Sequence, residues 1–129
     1  MPDTTPNQIR ILDEAIDLRA NSRLLFTRHR DCLDWLVITA MLDAVSTTWF
    51  MFAVGPEIET NYVVRQFTAW LGFGLGPVVA KSFQILSLWA LILVVPRLAR
   101  GLSLLVIALN LFACLFNTAV VVVELLELS

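Results

Sequence analysis

Two residues that lipid rejects stand inside long apolar runs of this chain: Asp43 in LDAVSTTWF and Lys81 in VVAKSFQIL. A carboxylate at the centre of a bilayer costs about 2.5 to 3.5 kcal/mol on insertion scales, so something in the protein must offset it. Paired with Lys81, Asp43 makes a counter-ion couple able to coordinate or relay a proton or a small cation. The alternative is that the Lys81 stem snorkels away to Glu57 or Glu59 and leaves Asp43 to neutral partners.

The polar neighbours of these two residues fall on helical spacings. Thr39 and Thr47 stand four residues either side of Asp43, Ser46 lies on nearly the same face, and Phe50 closes the stripe. Ala40, Ala44 and Thr48 make an adjacent row of small residues along which another helix can approach closely. Gln84 follows Lys81 by one turn. Further on, Ser103, Asn110, Asn117 and Glu124 recur at intervals of seven, a single stripe along a third segment. Counting about 1.5 Å of rise per residue puts Asp43, Gln84 and Asn110 in an inner layer and Thr47, Lys81 and Asn117 in an outer one. Glu59 and Asn61 then form a lid. Interhelical hydrogen bonding alone, worth about 0.6 kcal/mol per contact in membrane proteins, accounts for the amides and hydroxyls. It accounts less well for Asp43 and Lys81, because Asn or Gln would join helices without burying charge.

The order D-x3-T at Asp43 and Thr47, then Gly55, then E-x-N at Glu59 and Asn61, then Lys81, resembles a family of small polytopic membrane proteins of archaea and bacteria. The resemblance covers residues 33–125. It groups Asp43, Thr47, Glu59, Asn61 and Lys81 and brings no activity with it. Tyr62 departs from the family pattern, which has proline after the asparagine.

The elements that must carry these residues are legible from composition. A chain of 129 residues that is 58% hydrophobic and 16% charged, with mean hydropathy +0.79, is too apolar for an ordinary soluble domain. Three runs, about 33–54, 75–95 and 102–123, are each long enough for the roughly 20 helical residues that cross a bilayer. Backbone at that depth must satisfy its own hydrogen bonds, which predicts helices. The expected fold is therefore an all-α integral membrane protein with a three-span domain over residues 33–129.

Residues 1–32 are expected to form a cytoplasmic, basic segment with an amphipathic helix from Pro6 to Arg23, started by a capping box at Thr5 to Gln8 and presenting Ile9, Leu12, Ile16 and Ala20 to the membrane interface or a partner. Between the first two spans, Gly55-Pro56 stops a helix. Residues 62–73 then make a short helix before or around GFGLGP that lies flat, re-enters, or extends the second span.

Arg10, Arg19, Arg23, Arg28 and Arg30 precede the first span, and Arg97 and Arg100 lie between the second and third, against Arg65 alone in the other connection. The positive-inside rule then predicts a multi-pass protein of the cell membrane with its N-terminus cytoplasmic and its C-terminus outside. The arginines serve topology and anionic headgroups; no nucleic acid is expected.

Cys32 and Cys114 have no metal-ligand spacing and no disulfide framework is expected. The first thirty residues lack the apolar core of a secretory signal. His29 is the only histidine, and neither a phosphate loop nor H-E-x-x-H is present, so enzyme chemistry and cofactors are not expected. An oxygen-rich site for a hard cation would be limited to Glu57, Glu59 and Asn61. Besides an intramembrane enzyme, for which no catalytic residues stand out, two functions remain. One is an accessory or scaffold subunit that buries its polar stripes against copies of itself or a larger membrane protein. The other is a homo-oligomeric channel or carrier for protons or small cations centred on Asp43 and Lys81.

Overall fold

The computed structural model describes residues 8–11, 14–59 and 61–129. Three of its helices are long and apolar enough to cross a membrane: α2 (Arg30–Val54), α3 (Tyr62–Val94) and α4 (Ala99–Glu127). Each contains one of the expected spans. A shorter helix, α1 (Leu18–Arg28), precedes them.

The start of the chain differs from the helix expected there. Strands β1 (Gln8–Ile11) and β2 (Glu14–Asp17) pair antiparallel, with Ile9 opposite Ile16. The two isoleucines that suit one helical face equally suit one face of a hairpin, so their spacing does not separate the two. Asp17 decides where helix begins: its carboxylate accepts from the N–H groups of Arg19 and Ala20, both at 3.0 Å, and caps α1. Thr5 and Pro6 of the expected capping box, and Leu12 of the expected apolar face, lie outside the described residues. Nor does α1 simply lie along a surface. Leu25 is buried with Leu33, Ile92 and Ala99, and Asn21 Nδ2 donates to the Leu93 carbonyl at 2.7 Å. The helix is thereby docked on the end of α3.

After α2 the chain reverses twice, once in the 55–61 loop and once within α3. Gly55, at φ 108°, ends α2, and a 3₁₀ turn (Pro56–Ile58) leads to Asn61, whose side chain accepts from the N–H groups of Val63 and Val64 and starts α3. At Gly72 (φ 86°, ψ 172°) α3 is not helical, and the chain turns back on itself. Only glycine adopts that conformation without steric cost. Thr68 then lies directly on Gly76, where a Cβ would come within 2.4 Å of the Thr68 Cα. Val64 and Ala80 share the same buried cluster. Residues 62–71 therefore run back alongside the start of the long segment that follows, rather than extending it.

Pro77 has no N–H for the Phe73 carbonyl four residues earlier. Thr48 Oγ1 supplies the donor at 3.1 Å, sharing its hydrogen with the Ala44 carbonyl of its own helix at 2.9 Å. The row of small residues on α2 is what permits this approach: Ala40 and Ala44 are buried.

A second 3₁₀ turn (Pro96–Leu98) joins α3 to α4. Helix α2 is central and packs along both α3 and α4, which touch one another little. Phe50, Met51, Val64, Ala80 and Val121 form one apolar core near the 55–61 loop, and Leu25, Leu33, Ile92 and Ala99 form another at the arginine-bearing end. Asp43 lies between them.

Candidate functional site

Asp43 and Lys81 pair directly, carboxylate Oδ2 to ammonium Nζ, at 2% and 9% residue exposure. Placing them is the work of α2, which brings the polar stripe inward, and of α3, whose segment after Gly72 runs antiparallel to α2. The Lys81 ammonium has three N–H donors and uses all of them: Asp43, Gln84 Oε1 at 3.2 Å and Asn110 Oδ1 at 3.4 Å. Asp43 Oδ1 accepts from Thr47 Oγ1 at 3.3 Å, and Thr47 in turn accepts from Asn117 Nδ2 at 3.0 Å. Asn117 Nδ2 also lies 3.4 Å from Ser46 Oγ. One network thus ties all three long helices together.

This arrangement corrects the two separate layers expected from rise counting. Lys81 belongs with Asp43, Gln84 and Asn110, since its four-carbon stem spans the turn of helix that counting along an axis ignores. The ammonium does not snorkel toward Glu57 or Glu59. Gln84 differs from expectation in a second way: its amide accepts from Lys81, yet the residue is exposed on the surface of the bundle. Asn110 is 2% exposed, and its Nδ2 has no hydrogen-bond partner among the described residues. The seven-residue stripe of α4 does face protein, with Ser103, Asn110 and Asn117 all buried.

Beside the ion pair opens a cavity of about 540 Å³. Its polar wall consists of Asp43, Thr47, Lys81 and Asn117, with Glu59 and Asn61 from the loop. The apolar wall includes Phe50, Ile58, Val64, Phe112, Phe116 and Val120. Glu59 Oε1 accepts from the Asn61 N–H at 2.9 Å, which holds the loop over the site. Glu57 is exposed and does not line the cavity, whereas Glu59 and Asn61 do. Among the described residues no three His, Cys, Asp or Glu side chains are placed to hold a metal ion.

The apolar half of the site escaped the reading of the sequence. Phe112 and Phe116 are spaced by four, in the row beside Asn110 and Asn117, and that adjacency was the available signal. Val64 and Ile58 carried none, because only the double reversal of residues 55–76 brings them in.

No protein-family model matches this chain, and neither a curated protein nor a solved structure is significantly similar to it.

Proposed function

We propose that this is a multi-pass protein of the cell membrane that carries a small cation, taken up in the cavity beside Asp43 and Lys81. The observation that carries the reading is that the buried ion pair borders a cavity instead of being sealed in packed side chains. A purely structural ion pair gains nothing from an adjoining void, whereas a carrier needs its charged groups reachable by the cargo. The cavity reaches the 55–61 loop, from which Ile58, Glu59 and Asn61 line it.

Membrane insertion is supported by the wide apolar exterior of the three long helices, with Phe52, Trp70, Leu75, Phe83 and Leu115 all more than half exposed. The arginines before α2 and between α3 and α4 favour a cytoplasmic N-terminus, which places the cavity mouth and the C-terminus outside.

A scaffold role, with copies of itself or a larger membrane protein as partner, is the second reading. It draws on Gln84, a polar side chain on a face that is otherwise apolar. An amide in that position joins helices when another helix covers it.

The deciding experiment is cation flux in liposomes containing the purified full chain and its Asp43→Asn variant. The carrier reading expects flux from the parent and its loss in the variant, with the same oligomer mass for both. Equal flux from the two removes Asp43 from transport. Absence of flux, together with co-extraction of a second membrane protein at fixed stoichiometry, establishes the scaffold.

A further inference from the structure

The cavity also specifies what kind of cation it takes, an inference that rests on the carrier reading. Its ionisable lining consists of Asp43, Glu59 and Lys81, two carboxylates against one ammonium. Every N–H of Lys81 is already committed to Asp43, Gln84 and Asn110, so none is left for an anionic ligand. Among the described residues no basic side chain pairs with Glu59. The N-terminal end of α3 offsets that charge only in part, because a helix terminus is equivalent to about half an elementary charge. A net negative charge is left for the ligand to neutralise.

Size and surroundings favour a small organic cation over a bare metal ion. A space of about 540 Å³ falls within the range of pockets that hold whole organic molecules. Its sides include Phe112 and Phe116, which are 69% and 58% exposed and stand where α3 and α4 fail to close on each other. A hydrated metal ion gains little from phenylalanine in exchange for its water. An ammonium centre with apolar substituents gains at both ends, because the ring faces attract the cation and the substituents leave water. We infer that the ligand is a hydrophobic organic cation, entering between α3 and α4, with its charged centre toward Glu59 and its apolar groups against Phe50, Phe112 and Phe116.

The test is calorimetric titration of the full chain, purified in a sugar-based detergent free of choline, with three probes. They are benzyltrimethylammonium, its neutral carbon isostere neopentylbenzene, and benzenesulfonate. The ammonium should bind about tenfold more tightly than the isostere, and the sulfonate should not bind. Glu59→Gln should weaken the ammonium about fivefold and leave the isostere unchanged. Equal binding of ammonium and isostere overturns the cationic specificity while leaving a usable cavity. Binding of none of the three overturns this inference, while the carrier reading stands or falls separately on flux that Asp43→Asn abolishes. Repeating the titration in phosphatidylglycerol vesicles, with and without phosphatidylcholine, separates two sources of the same chemistry. Competition by phosphatidylcholine assigns the ammonium to a lipid headgroup, and unchanged binding assigns it to a free cation.

Discussion

The ammonium of Lys81, on the segment of α3 after its break, meets the carboxylate of Asp43 at the middle of α2. Each is the other's only charged partner among the described residues. Removing one member of a buried pair strands the other, at a cost of about 3–5 kcal/mol, whereas removing both can be nearly neutral. Asp43→Leu should therefore lower thermal stability in detergent sharply, and adding Lys81→Met should recover most of the loss. Additive losses in this double-mutant cycle would mean that the two charges do not depend on each other.

The contact of Thr68 with Gly76 sets a second expectation. A methyl group at position 76 would lie 2.4 Å from the Thr68 Cα, backbone that cannot swing aside, while one at Gly74 meets nothing within 4 Å. Gly76→Ala should destabilise by about 1–3 kcal/mol through overpacking. Gly74→Ala should be neutral or stabilise slightly, by reducing the freedom of the unfolded chain. Melting both variants side by side distinguishes this doubled-back segment from a continuous helix, in which the two substitutions would behave alike.

Thr48 supplies the donor that Pro77 withholds from the Phe73 carbonyl. Thr48→Val keeps the shape and leaves that carbonyl without its partner, a loss of about 1–3 kcal/mol. Pro77→Ala restores an N–H to the helix, so the Thr48→Val penalty should shrink when it is measured in the Pro77→Ala background. A penalty of the same size in both backgrounds would assign the role of Thr48 to something other than this carbonyl.

Orientation is open to direct labelling. In a chain with Cys32→Ser and Cys114→Ser, a cysteine introduced at exposed Glu57 should react with a membrane-impermeant maleimide applied to intact cells. One at Arg97 should react only after the cells are opened. The reverse pattern would put the cavity mouth on the cytoplasmic side.

Much of this protein is legible without its fold. The three long helices follow from apolar length, because backbone in a long apolar run has few partners other than itself. The inward direction of Asp43, Thr47, Asn110 and Asn117 follows from their helical spacing, since stripes of polar groups on apolar helices are costly unless they meet one another. The pairing of Lys81 with Asp43 was one of two outcomes that rise counting allowed, and packing chose between them. Helix α2 came to lie centrally, within reach of the lysine stem, while α3 and α4 stayed apart.

What the sequence left open depended on chain reversals and short-range competition. Ile9 and Ile16 fit a helix or a hairpin, and the structure pairs them across β1 and β2 with α1 capped by Asp17. Residues 62–73 fit three placements, and the turn at Gly72 selected the one in which Thr68 lies on Gly76. The cavity itself is a tertiary fact. Local periodicity records which side of a helix is polar, but the space beside Asp43 exists because α3 and α4 diverge and because the 55–61 loop folds Glu59 and Asn61 over the gap, distances that no spacing along the chain encodes.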